Sequence, residues 1–316
     1  MFGMHPNAEI GYLTAQCETI FDTIMSIQGG SGGGSGSGDD TIMNLIMDLK
    51  NRAPTEYSML DITVKIKEKT PFIVVCLQEC ERMNLLLQEI KKTLEDLRLG
   101  LTGALNITDA MENLQRSLNF NKVPASWEAM AYPSKKNLAL WFNELIERCA
   151  QLEEWSSSLT TPKSLFISLL FNPMSFLTAI MQNTSREKIL PLDNMSLQTN
   201  VTLFKGPEEV PGPAENGAYV HGFVLEGAAW ELGAPGQDGY LIEQRPKELH
   251  PKLPVVNIVS VPLKEKKVLG QYVCPCYYTT LRGPTFIFTA NLNMESEDSD
   301  PNKWILSGTC LLLSDD

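Results

Sequence analysis

Between Ile73 and Leu101 the residues Cys76, Cys80, Met83, Leu87, Ile90, Leu94, Leu97 and Leu101 recur at alternating steps of four and three. That spacing places them in one stripe along a single long helix. Glu81, Gln88, Glu89, Lys91, Glu95 and Arg98 fill its other faces, Pro71 stands near its start, and Gly100 and Gly103 loosen its end. The stripe suits the inside of a helical bundle better than a short coiled coil. A second helix follows Thr108 as its cap, with Ile107, Met111, Leu114 and Leu118 as its stripe and Asp109 and Glu112 in the first turn. Pro124 lies beyond its end. A third starts after Ser134 and carries Leu138, Trp141, Leu145, Cys149 and Leu152. Two earlier helical pieces, roughly 8–27 and 41–52, flank the run GGSGGGSGSG at 29–38. That run has nothing to pack and is expected to be a flexible tether, natural or inserted. A helical layer is expected from about 40 to 156.

The pattern then changes. LFISLLF at 165–171 is a short continuous apolar run, expected to be a buried strand because Asn172-Pro173 stops it. Residues 174–186 suit one more helix. After Pro191, Leu197, Thr199, Val201 and Leu203 alternate, and segments 219–225, 255–261, 271–278, 285–290 and 304–313 are rich in β-branched or aromatic residues. Gly206-Pro207, Pro211-Gly212-Pro213, Pro235-Gly236 and Gly283-Pro284 separate them. Short strands between turns predict an antiparallel sheet curled into a barrel or sandwich-like unit. The expected class is α+β: a helical subdomain over 1–163, then a mainly β subdomain over 164–316.

Composition narrows what such a protein does. Its 316 residues suffice for two domains. With 38 acids against 26 bases, a formal net charge of -12, it is poorly suited to nucleic acid, to an anionic membrane surface or to an acidic polymer. No apolar run approaches the roughly 20 residues that span a bilayer. The start lacks the charged and apolar regions of a secretory signal. Seven cysteines at irregular spacing form no disulfide framework, so reduced thiols in a cytosolic compartment are expected. The sequons at Asn106, Asn183, Asn194 and Asn200 then stay unmodified.

Candidate chemistry is sparse. His5, His221 and His250 have no paired zinc spacing, and packing or surface roles suit them better. Cys274-Pro275-Cys276 would turn two sulfurs to one side of a strand, but a closed zinc site needs four ligands and no second pair is near in sequence. Core packing is the expectation there, and for Cys76 and Cys80 on the helical stripe. The acidic run 295–300 lacks the Gly and the final Glu of an EF-hand loop. Trp127, Trp155, Trp230 and Trp304 could make a sugar-binding face, but tryptophan mostly anchors cores. There is no GxSxG elbow and no Walker loop, and Gly-Lys occurs nowhere in the sequence. No catalytic, cofactor-binding or metal residue is therefore assigned.

Several segments carry a resemblance. Phe2-Gly-Met-His-Pro-Asn-Ala-Glu-Ile10, Val123-Pro-Ala-Ser-Trp127, Tyr132-Pro-Ser134, Phe176-Leu-Thr178 with Gln182-Asn183, and Pro191-Leu-Asp193 occur in this order. The segments from Val220 to Trp230, Tyr272-Val-Cys-Pro275 and Trp304-Ile-Leu-Ser-Gly308 continue the series. Together they resemble the C-terminal region of dynein heavy chains of the axonemal branch, over essentially the whole sequence. Departures are Arg282-Gly-Pro-Thr285, where many members carry Arg-Arg-Gly-Thr, Ala229 where Arg is usual, and Cys276 where an aliphatic residue is common. The resemblance implies a helical layer plus a β-barrel-like unit on one face of an AAA+ ring. It implies a non-catalytic brace and regulator of a microtubule motor that drives ciliary or flagellar beating. It implies no cofactor; the partners would be AAA+ modules of the same heavy chain and possibly other axonemal dynein subunits. Nucleic acid, membrane and direct microtubule contact are not expected, and the location would be the axoneme. Two other classes stay open on the residues alone: an independent β-barrel module holding a small ligand or glycan, and a hydrolase built around Cys274 and Cys276.

Overall fold

A computed structural model describes residues 5–29, 37–233 and 237–313. In sequence order the helical elements begin with α1 (Pro6–Gly29), α2 (Ser37–Arg52), α3 (Met59–Lys65) and α4 (Pro71–Leu101). Next come α5 (Asp109–Asn119), α6 (Ala125–Glu128), α7 (Leu138–Ser158), β1 (Leu165–Phe166) and α8 (Pro173–Lys188). The strands β2 (Met195–Val201), β3 (Ala218–His221), β4 (Val224–Glu226), β5 (Ala229–Glu231) and β6 (Tyr240–Ile242) follow. The last elements are β7 (Val256–Pro262), β8 (Gln271–Tyr277), β9 (Phe286–Asn293), α9 (Asn302–Leu306) and β10 (Cys310–Leu312). The class is α+β. The Gly/Ser run loses its ends to α1 and α2, and its middle, 30–36, lies outside the described residues. So do residues 2–4 of the first motif and the Pro235-Gly236 pair. Among the described residues no helix is long and apolar enough to cross a membrane.

The protein forms two compact units. The first draws on residues up to Ser58 and on Glu81–Cys149, the second on Met59–Cys80 and on Ala150 onward. In the first, the α4 stripe residues Met83, Leu87, Ile90, Leu94 and Leu97 are buried together with Ile42, Ile46 and Leu49 of α2 and Leu114 and Leu118 of α5. Thr108 caps α5 as its sequence predicts, its hydroxyl accepting from Met111 N at 3.4 Å. α7 does start after Ser134, at Leu138, and Asn137 caps it, its Oδ1 accepting from Leu140 N at 3.1 Å.

The second unit holds two four-stranded sheets, ordered β1-β3-β7-β2 and β4-β10-β8-β9, and the hairpin β5-β6. No closed barrel is formed among the described residues. Nor are the sheets purely antiparallel, as the alternation predicts: β1 pairs with β3, and β10 with β8, in parallel. A parallel neighbour needs a crossover connection, and the stretch between β9 and β10 supplies it. That stretch includes α9, so residues 304–313 are not one strand. Asp300 Oδ1 accepts from Asn302 N at 2.9 Å at the helix start, and Gly308 ends it at φ +65°. Likewise 165–171 is strand only at its first two residues and then turns through a 3-10 segment at Ile167–Leu169. The Tyr278 hydroxyl, with its one proton, lies 3.1 and 2.8 Å from the carbonyl oxygens of Ser168 and Leu170 and ties this turn to the end of β8. The 219–225 segment breaks at Gly222 (φ +98°), so β3 and β4 enter different sheets. A Cβ at Gly222 would lie 2.2 Å from the Phe166 ring.

Candidate functional site

Two buried polar constructions stand out, one in each unit, and both are structural. In the first unit Trp127 of α6 and Trp141 of α7 stack with ring centroids 6.0 Å apart, and Trp141 stacks in turn on Tyr132 at 5.7 Å. The Arg148 guanidinium lies 3.3 Å from the centre of the Tyr132 ring, within cation–π range. Arg148, 1 % exposed, is paired with Glu144 one turn earlier on α7, its Nε 3.0 Å from Glu144 Oε1. Lys136 reaches the other oxygen of Glu144 at 2.8 Å. Burial alone pushes the Glu144 carboxyl up, but Arg148 and Lys136 outweigh it and hold it below its ordinary value. The Trp127 indole N–H donates to Thr93 Oγ1 on α4 at 2.9 Å, and the Tyr132 hydroxyl to the Trp141 carbonyl at 3.2 Å. The two short motifs at 123–127 and 132–134 are thus the aromatic faces of one packed stack around a buried charge.

Next to this stack, α4, α5 and α6 line an open cleft of about 330 Å³. Met111, Leu114 and Pro124 form part of its wall, and Glu89, Asp96 and Thr93 another part. It falls at the small end of ligand-sized volumes, and no motif in the sequence pointed to it.

In the second unit the singular group is Glu79, 2 % exposed in α4. Its carboxylate accepts from Phe171 N at 2.6 Å and from Asn172 N at 2.9 Å, at the backbone's entry into α8. Asn172 itself caps α8, accepting from Ser175 N at 3.3 Å. Phe176 of α8 packs edge-on to Trp155 and tilted against Phe72, at 5.9 and 5.5 Å. The acid thus fixes where the helix of the 176–183 motif begins.

The residues weighed for chemistry fall into core or surface places. Cys274 and Cys276 are fully buried, and burial pushes both thiols well above their ordinary range. At Cys80 a hydrogen bond with Cys76, and then burial, pushes the thiol up. Burial raises Cys149 to about 11 and Cys310 to about 12. Thiols so protonated are poor nucleophiles. Among the described residues no three His, Cys, Asp or Glu side chains gather for a metal ion. Trp127, Trp155, Trp230 and Trp304 are all buried, so they form no sugar-binding face. His221 stacks on Phe166 at 4.8 Å, and its Nδ1 lies 2.8 Å from Ser164 Oγ. Burial, opposed by the Glu208 charge, lowers its pKa to about 4. His5 Nδ1 accepts from Asn7 N at 3.2 Å at the start of α1. In the 295–300 run Ser296 and Ser299 bond each other at 3.1 Å, and Asp300 is spent on α9. Arg282 pairs with Glu226 at 3.0 Å.

The family model for the C-terminal domain of dynein heavy chains matches residues 14–313. The chain belongs to this family. Its similarity extends to dynein axonemal heavy chain 9 of Homo sapiens, 41 % identical over 99 % of the sequence. The ciliary dynein beta chain of Tripneustes gratilla is 40 % identical over 99 %. The flagellar outer-arm dynein alpha chain of Chlamydomonas reinhardtii is 40 % identical over the whole sequence. The 316 residues span about 7 % of the length of each of these relatives. In this dynein domain, then, the motif residues Trp127, Tyr132, Phe176 and Trp304 hold the fold together.

Proposed function

We propose that this domain is a non-catalytic brace and regulator of an axonemal dynein heavy chain, lying against the AAA+ modules of its own polypeptide in the ciliary or flagellar axoneme. The observation that carries this reading is the family match over nearly the entire sequence to heavy chains named as axonemal, ciliary and flagellar. Two features support it. The residues that carry the resemblance are packed as scaffolding, as in the Trp127–Trp141–Tyr132–Arg148 stack. The sequence has no Walker loop, and its charge of -12 disfavours both ATP and the acidic microtubule surface. As a division of the brace, 1–163 supplies the helical layer and 164–316 the mainly β part.

The test compares a heavy-chain motor with and without this region. Both should hydrolyse ATP and bind microtubules, while gliding velocity or ring stability changes in the truncated motor. Unchanged velocity and stability would refute the bracing role. Calorimetry on the domain alone should give no magnesium-dependent ATP binding; stoichiometric binding would refute the non-catalytic reading.

A further inference from the structure

The cleft between α4, α5 and α6 has two unlike walls, and together they say what fits. Glu89, Thr93 and Asp96 face it from α4, while Met111 and Leu114 of α5 and Pro124 before α6 give it an apolar side. Thr93 is already committed. Its hydroxyl donates to the Glu89 carbonyl at 2.7 Å and accepts from the Trp127 indole at 2.9 Å. The two carboxylates are not committed. Elsewhere in this unit Glu56, Glu95 and Glu144 are each matched by Lys or Arg. Glu89 and Asp96, both half-buried, meet no cation and accept no hydrogen bond among the described residues. No Lys or Arg of α4 or α5 lines the cleft. Lys92, which lies between the two acids in sequence, is exposed and stands outside the lining.

Spacing selects the ligand. Glu89 and Asp96 stand seven positions apart on one helix, which puts them on one face, about 10.5 Å apart along the axis. Side chains on a helix lean the same way, toward its N-terminus, so the carboxylates keep the separation of their backbones. A divalent cation needs its oxygens within one coordination shell and cannot touch both. A single ammonium held by one acid leaves the other unmatched. Two ammonium groups joined by a methylene chain match both acids and lay the chain along Met111, Leu114 and Pro124. The volume of about 330 Å³ suits a small molecule, whereas a stable protein partner needs a far larger interface.

We propose that this cleft binds an aliphatic diamine or polyamine, its two ammonium groups on Glu89 and Asp96 and its methylene chain against Met111, Leu114 and Pro124. The site is separate from the bracing role, and either can fail without the other.

Calorimetry of this protein with octamethylenediamine at low salt should give a Kd on the order of 100 µM, in the range open to a ligand of this size. Octylamine, with one ammonium, and putrescine, too short to span the acids, should each bind about fivefold weaker. Added salt should weaken the diamine, because both ion pairs are open to solvent. Glu89→Gln and Asp96→Asn should each cost about three- to fivefold, and the double variant about tenfold or more. Neither carboxylate has a partner to lose, so the urea midpoint of these variants should stay unchanged. The methyl resonance of Met111, assigned through Met111→Leu, should shift as the diamine is added. No binding at millimolar diamine would overturn the proposal. So would octylamine binding as tightly as the diamine, or binding that survives the double variant. A peptide with two lysines seven positions apart that binds more tightly than the diamine, and needs both acids, would overturn it in favour of a protein partner.

Discussion

Replacing Glu79 by alanine should destabilise the second unit by about 3 kcal/mol. The carboxylate receives two backbone N–H groups, from Phe171 and Asn172. A hydrogen bond to a charged group contributes about 1.5–3 kcal/mol, and a buried donor left unsatisfied costs about 1–3 kcal/mol. Phe171 is buried, so its amide loses its acceptor outright; Asn172 is exposed, and water can reach its amide. The two amides therefore do not count equally, which puts the sum near ~3 rather than near ~6 kcal/mol. Glu79→Gln keeps a carbonyl oxygen that can still accept but gives up the charge, and should cost about 1 kcal/mol. Urea unfolding read by tryptophan fluorescence suits the measurement, because Trp155 packs against Phe176 in α8. In a thermal scan the alanine variant should melt roughly 6–12 °C lower, at about 2–4 °C per kcal/mol for a unit of this size. Amide exchange at Phe171 should accelerate in the alanine variant more than at the middle of α8. An alanine variant within about 0.5 kcal/mol of the glutamine variant would refute the assignment of Glu79 as the acceptor that sets the start of α8.

Three further outcomes follow from the same packing. Arg148→Lys should cost the first unit about 2 kcal/mol, because an ammonium loses both the planar contact with Tyr132 and the fork on Glu144; urea titration checks it, and a neutral result would argue against a buried cation stack. The lowered pKa of His221, about 4 against an ordinary value near 6.5, means the unfolded state takes the proton first as pH falls. Stability is then present above about pH 6.5 and is lost as pH falls toward about 4, by about 1 kcal/mol at about pH 5 after allowing for partial exposure. His221→Gln should remove that part of the slope, and an identical slope in both proteins would contradict the assignment. Gly222→Ala should cost about 2–4 kcal/mol, since the position needs φ +98° and the added carbon would meet the Phe166 ring; a stable variant with intact Phe166–His221 stacking would refute it.

Legibility differed between the two halves for a physical reason. The α4 stripe and the Thr108 cap were readable because helical contacts repeat within three or four residues, and the buried cysteines followed from their place on the stripe. The motifs at 123–127, 132–134 and 176–183 carried the family resemblance without disclosing their geometry. In the strands, alternation marked where sheet would form but not how strands would pair. The parallel partners of β3 and β8 depend on where the backbone returns, and the 304–313 run divides into α9 and β10 because Asp300 and Gly308 act locally against its β-like composition.

The buried charges were hidden most completely. Glu79 sits one position before Cys80, where a polar residue beside an apolar stripe reads as a solvated face. Its amide partners lie more than ninety positions away. Arg148 reads the same way beside Cys149, and only the approach of Tyr132 and Trp141 turns it into the charged centre of a stack. The amino-acid sequence alone determined the α+β class, the long helix, the acidic character and the family, because each is carried by local periodicity, by composition or by short motifs in order. Tertiary structure alone decided strand pairing, the acceptor that starts α8 and the burial of Arg148 against Tyr132, because each depends on which distant group arrives beside a residue.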